Sequence, residues 1–292
     1  MVSTKLPILR RGDGIDFPEL QDDVKLLQTK LGFFGDNIDG KFGLGTEKSV
    51  KHFQQGKGLE VDGIVAKNTW SAILDAPVEV FNPRIIGIDV SMHNKIVDWQ
   101  AVKKANISYA FAKATEGGDF VDQTFATNWL QMKQAGIIRG AYHFFRPLKT
   151  GEQQADNFLK TLGNLELSDL SPVVDLEQFP ESVAKQWKTI SFNQRIDRVQ
   201  KFLHKVEQVT GRKPIIYTSN SFWQEFMNNS EVFTAYRLWI AHYTDKPQPL
   251  VPANNWGGKG WTLWQYTETG VVAGVTGKFD INRFNGSIDK LI

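Results

Sequence analysis

Asp175 and Glu177 stand one residue apart in the run Pro172-Val173-Val174-Asp175-Leu176-Glu177. Side chains alternate along a strand with period two, so this spacing sends both carboxylates to one face. An isolated Asp-x-Glu reads as the solvated edge of a strand. Here the residues before the pair are all apolar, and two further aspartates close comparable runs: Asp89 after Ile85-Ile86-Gly87-Ile88, and Asp280 in Lys278-Phe279-Asp280-Ile281. Carboxylates crowded into one place push their pKa values apart, so that one keeps its proton near neutrality while another stays charged. That is the requirement of glycoside hydrolysis, which needs an acid for the leaving oxygen and an anion, or a helper, across the anomeric carbon. Aromatic residues gather in the same kind of position: Tyr142, Phe144, Tyr217, Trp239, Tyr243, Trp264 and Tyr266. Each alone fits core packing; together they suit sugar rings, whose apolar faces and polar edges match Trp and Tyr. Lys113, in Phe111-Ala112-Lys113-Ala114-Thr115-Glu116, either orients a carboxylate or extends to solvent.

The elements that must position these groups follow from the chain's rhythm. Short apolar runs at 85–91, 109–115, 140–145, 172–177 and 214–219 alternate with helical stretches at 99–105, 123–135, 151–162 and 193–210. Strands alternating with helices imply parallel βα units. Gly136 and Gly211 act as stops for the second and fourth helices. Beyond the fifth strand the runs 237–243, 261–267 and 278–284 are joined by Pro-, Gly- and Asn-rich segments, so hairpins are expected there. The fold class is therefore α/β, an irregular (β/α)5(β)3 TIM-like barrel, and in such a barrel functional groups lie at the C-terminal strand ends.

The first 76 residues have a different texture. Ile38-Asp39-Gly40 and Thr46 recur 23 residues later as Val61-Asp62-Gly63 and Thr69. Each unit supplies a tight Asp-Gly turn and a Thr expected to cap a helix beginning at Glu47 or Trp70. With Val24, Leu27, Leu31, Val50 and Phe53 at helical spacing, residues 1–76 read as a small three-helix domain, 77–84 as a linker and 85–292 as the barrel.

Other chemistries fare poorly. The 292 residues contain no Cys, which removes disulfides, thiolate metal sites and Cys nucleophiles. The five His residues form no His-x-x-x-His pair, so neither a metal nor a cofactor is expected. No P-loop and no Gly-x-Ser-x-Gly elbow occurs. A formal net charge of +2 is too mild for nucleic acid. No window approaches the ~20 consecutive apolar residues of a membrane span, and the opening MVSTKLPILRRGDG lacks the apolar core of a secretory signal.

The motifs Gly87-Ile88-Asp89-Val90-Ser91, Phe111 to Gly117, Gly140 to Phe144, Pro172 to Glu177, Ile216-Tyr217-Thr218 and Leu238 to Tyr243 resemble the Chalaropsis-type muramidases, glycoside hydrolase family 25. The resemblance covers about residues 84–292 and implies hydrolysis of the β-1,4 bond between N-acetylmuramic acid and N-acetylglucosamine in peptidoglycan. It also implies Glu177 as general acid/base, Asp175 as its partner, and Asp89 and Asp280 as flanking carboxylates. The implied route is retention through the substrate's 2-acetamido oxygen, with direct carboxylate attack and inversion left open. Val173 stands where chitinases that use substrate assistance carry a further Asp. The repeat over 20–75 resembles a peptidoglycan-binding domain, with Ala66 at a position where Gly is usual. The combination implies a modular endolysin, expected as a monomer with peptidoglycan as its partner, held in the host cytoplasm until lysis. A barrel that only binds walls and a wall amidase are the alternative readings.

Overall fold

The computed structural model describes the chain apart from residues 1–4, 16, 18, 19, 82–84, 97, 245, 247 and 287–289. Two compact units divide it near residue 83. The smaller contains β1 (Lys5–Pro7), α1 (Gln21–Lys30), α2 (Leu44–Gly56), α3 (Lys67–Leu74) and β2 (Glu79–Phe81). Leu9, Val24, Leu27, Phe42, Val50, Val65 and Trp70 are fully buried in its core. The Trp70 indole N–H donates to the Pro7 carbonyl at 2.8 Å, which closes the N-terminal strand over the helices.

The internal repeat is a hydrogen-bonded module whose anchor is a buried glutamine. Gln28 Nε2 donates to Asp39 Oδ1 (2.8 Å), the Lys41 carbonyl (3.2 Å) and Thr46 Oγ1 (3.2 Å), while its Oε1 accepts from Gly40 N (3.0 Å). Gln54 repeats the pattern on Asp62 (2.8 Å), the Ile64 carbonyl (2.9 Å), Thr69 (3.1 Å) and Gly63 N (2.9 Å). The threonines do not cap the helices, as the spacing suggested. Gly43 and Ala66 hold the N-cap positions, so Thr46 and Thr69 lie inside the first turn and point inward. Ala66 has φ −97° against −85° at Gly43, both ordinary for a residue with a Cβ, so alanine costs the second turn nothing there.

The segment expected as a linker is partly drawn into this unit. Val78 is buried, and Glu79–Phe81 pairs in parallel with Lys5–Pro7. Val78 and Val80 alternate with Glu79, the period-two pattern of a strand with one face on a core. The rest of that stretch, 82–84, lies outside the described residues.

The larger unit is a closed barrel of β3 (Ile86–Val90), β4 (Ile107–Glu116), β5 (Ile138–Phe144), β6 (Val173–Leu176), β7 (Ile215–Ser219), β8 (Arg237–Ala241), β9 (Leu263–Gly270) and β10 (Phe279–Phe284). Strands β3 to β9 pair in parallel; β10 runs antiparallel to both β9 and β3 and closes the ring. Hairpin geometry was expected for the last three strands, but β8 and β9 are parallel. Between them the chain makes a short turn over Pro252–Gly257, in which Ala253 to Trp256 hold φ of +53°.

Helical crossovers follow the first five strands: α4 (Trp99–Lys104), α5 (Phe125–Gln134), α6 (Gly151–Leu162), the pair α7 (Glu181–Lys188) and α8 (Phe192–Thr210), and α9 (Asn220–Met227). The 19-residue α8 starts in a Ser191/Gln194 capping box and stops at Gly211, φ +67°. Two apolar layers result. Tyr109, Phe111, Val173, Ile215, Trp239 and Leu263 fill the barrel, while a larger cluster joins the strands' outer faces to the helices. Glycine is required where rings cross the barrel: a Cβ at Gly87 would lie 2.2 Å from the Tyr109 ring, and one at Gly140 2.3 Å from Phe111.

Candidate active site

The strand ends bring the four carboxylates together. Asp89, next to last in β3, lies in register with Asp280 of β10, while Asp175 is the third residue of β6 and Glu177 follows that strand. All four line one cavity of 210 Å³ with Tyr142, Tyr217 and Trp239. Tyr243, Gln265 and Glu268 complete its polar wall. Glu177 is fixed from behind, since its carbonyl accepts the Trp187 indole N–H at 3.0 Å.

Burial decides the electrostatics. It raises Glu177 to about 7, opposed by the Lys113 charge and reinforced by Asp89. Asp280 rises to about 8, through burial first and then the charge of Asp89. Asp175 is pushed well up by burial and by Glu177. Its Oδ1 is buried without a hydrogen-bond partner, an orphan acceptor facing a cavity. Burial also raises Asp89, against hydrogen bonds led by that from Asn282. Tyr142 and Tyr217 are pushed up by burial and stay protonated.

Not every residue expected at the site lines it. Lys113 is buried beside the cavity, its Nζ 2.6 Å from Glu116 Oε2, and Glu116 also takes Arg146. It acts on Asp175 and Glu177 through its charge and does not line the cleft. Phe144 is only 7% exposed, with Lys113 Nζ 4.7 Å and the Arg146 guanidinium 5.1 Å from its ring centroid. It supports those cations and offers no platform for a sugar. Trp264 is a clearer correction. Leu263 and Gln265 face the barrel interior, so the residue between them faces outward, and Trp264 is buried in the outer cluster with its indole N–H on the His242 carbonyl.

The expectation also passed over residues that the fold delivers. Gln265 and Asn282, 2% and 0% exposed, both donate to Asp89 Oδ2, at 2.9 and 2.7 Å. Glu268 stands at the rim, beside Tyr243, which the sequence places among the aromatic residues of the strand ends. The signal for the two amides was strand parity: Gln265 is two residues beyond Leu263, and Asn282 two beyond Asp280. His143 is a core residue held by Thr115 (2.7 Å) and Gln154 (3.1 Å), and burial lowers it to about 4.

Comparison with known proteins places both units in known families. The model of "Glycosyl hydrolases family 25" matches residues 88–275, and that of "Putative peptidoglycan binding domain" matches residues 21–73. Lysozyme M1 of Streptomyces globisporus is 37% identical over 210 residues, 70% of this chain and 69% of that protein. The N,O-diacetylmuramidase of Chalaropsis sp is 29% identical, covering 70% of this chain and 96% of that one. Among solved structures, the bacterial lysozyme from Streptomyces coelicolor superposes with a TM-score of 0.66 at 37% identity, over 71% of this chain and 94% of that chain. With the family model spanning most of the barrel and these relatives covering it, the chain belongs to glycosyl hydrolases family 25.

Proposed function

We propose that the protein is a muramidase that cleaves the β-1,4 bond between N-acetylmuramic acid and N-acetylglucosamine, with Glu177 as the general acid. The observation that carries this is a carboxyl raised to about 7, lining a cavity beside a second carboxyl with an unpartnered oxygen. An acid of that pKa holds its proton at neutral pH and can release it as the C–O bond breaks.

The balanced sequence has two steps. Glu177 gives its proton to the glycosidic oxygen as the bond to the anomeric carbon opens, and the substrate's 2-acetamido oxygen closes on that carbon. Water then attacks the same carbon as its bond to the acetamido oxygen opens and the acetamido group is restored, and the water gives a proton to Glu177, so the configuration is retained. Asp175 Oδ1 takes the hydrogen bond of the acetamido N–H, and Asp89 and Asp280 supply the charge around the pair. Tyr142, Tyr217 and Trp239 line the path of the sugar.

The small unit binds wall polymer and raises the local concentration of glycan at the barrel, the arrangement of an endolysin that acts on the wall at lysis. Glu177→Gln is expected to lower release of reducing ends from purified peptidoglycan about 100- to 10,000-fold while the melting temperature stays near that of the parent. Substantial residual turnover would remove Glu177 from the acid role. Mass analysis of soluble muropeptides identifies the bond, since an amidase would yield new amino termini. Clearing of host cells only when a membrane pore is supplied alongside the protein would support the endolysin role; clearing without one would count against it.

A further inference from the structure

The Trp239 indole N–H can donate a hydrogen bond and cannot accept one. It lies 2.8 Å from Asn282 Oδ1, which fixes that amide and turns its NH2 toward Asp89 Oδ2, 2.7 Å away. Gln265 is oriented from the opposite side. Its Oε1 accepts from the Tyr217 and Tyr243 hydroxyls, each at 2.8 Å, and its NH2 lies 2.9 Å from the same Asp89 Oδ2. Both phenols are pushed up by burial, so they remain O–H donors. Two N–H groups therefore converge on one carboxylate oxygen, which has no room for a proton of its own.

We propose that Gln265 and Asn282 are positioning residues that hold Asp89 as the anion of the Asp89–Asp280 pair and leave the pair's proton on Asp280. The proposal rests on the reading of this cavity as the active site. Desolvation raises both members, but the amide hydrogen bonds pull Asp89 down while Asp280, lacking them, rises to about 8. The fixed charge has consequences around it. Asp89 acts on Asp175, Glu177 and Asp280, and in each case favours the protonated form. Glu268 pushes Asp280 the same way from the rim. Lys113, a cation acting on Asp175 and Glu177, is held at 2.6 Å by Glu116, which itself raises both, and Arg146 acts on Glu177 as a second cation. Tyr109, Tyr142, Tyr217 and Tyr243 face Asp89 as neutral phenols. An anion at Asp89 thus adds to burial in keeping Glu177 loaded with the proton it must deliver.

The test uses the full chain. Carbon-13 labelling of aspartate carboxyls should show Asp89 ionised throughout the range in which Asp280 titrates. A protonated Asp89 beside an ionised Asp280 would overturn the proposal. This readout needs no turnover, so a chain that shows the expected titration but cleaves no glycan fails as a muramidase without failing here. Gln265→Glu puts a carboxyl where an N–H donor is required, and it donates only when protonated. Its kcat/KM profile should move at least about one pH unit to the acid side, with kcat at pH 7 down about 10-fold or more and KM within about twofold. Gln265→Leu should also move the profile to the acid side, because Asp89 without that N–H takes up a proton more readily and no longer raises Glu177, and Asn282→Asp should repeat the shift. An unchanged profile in both acidic variants would refute the positioning role, because a merely structural amide would not move it.

Discussion

A carboxyl that is to protonate a leaving oxygen, the role proposed for Glu177, has to hold its proton near neutrality, and Glu177 holds it because burial outweighs the nearby Lys113 charge. Two outcomes follow from its shift from 4.5 to about 7. The kcat/KM for wall hydrolysis is expected to fall as pH rises through about 7, the acid being lost in the free enzyme. Stability moves the same way. A raised folded pKa means that the folded state binds the proton more tightly than the unfolded chain does. Its contribution is fully present below pH 4.5 and is lost as pH rises through about 7. At about 1.4 kcal/mol per unit, that loss is on the order of 3 kcal/mol, and Asp280 adds to it up to about pH 8. Urea melts at pH 5 and pH 9 read this directly, and equal midpoints would contradict it. The four carboxylates were legible because a charge at the end of an apolar run is conspicuous. Gln265 and Asn282 were not, because a neutral amide in a strand looks like any other polar residue until its partners are known.

At the scale of the element, strand parity is what separated Trp264 from the aromatic residues that line the cavity, while Phe144 shares the parity of Tyr142 and is excluded by its packing against Lys113 and Arg146. Tyr142, Tyr217 and Trp239 face inward; Trp264 faces the helices. Trp264→Ala is therefore expected to cost about 3–5 kcal/mol of stability, as large core truncations do, with KM for soluble glycan fragments little changed in the folded fraction. A rise in KM at parental stability would restore the sugar-binding role. Long helices were legible from caps and stops, as at Ser191 and Gly211. Helix α9 was not, because Ser219 ends β7 and caps α9 at once, leaving no turn residue to mark the change. Helix α7 spans eight residues and buries only Val183 and Trp187, too few to set a period. The repeat was visible at Asp-Gly, but the glutamine that holds each copy sits on the preceding helix, and its offset of 26 residues, from 28 to 54, hides it from a comparison at 23.

For the whole molecule, two units with separate cores allow binding and cleavage to be separated. Removal of residues 1–81 is expected to leave hydrolysis of soluble glycan fragments near the parental rate. Clearing of intact walls should fall by up to about 100-fold, since tethering changes effective concentration and leaves the chemistry alone. Equal losses on both substrates would show instead that the barrel depends on the small unit. The sequence by itself determined the α/β class, a helix in each of the first four crossovers, the small domain and the four carboxylates, because hydrophobic period, glycine stops and misplaced charge are local properties of a chain. Only the tertiary structure decided that β10 closes the ring, that Trp264 belongs to the core, and that Asp89 is held by amides from β9 and β10. Those are facts of which strand lies beside which, and partners 176 and 193 residues apart meet only when the barrel is closed.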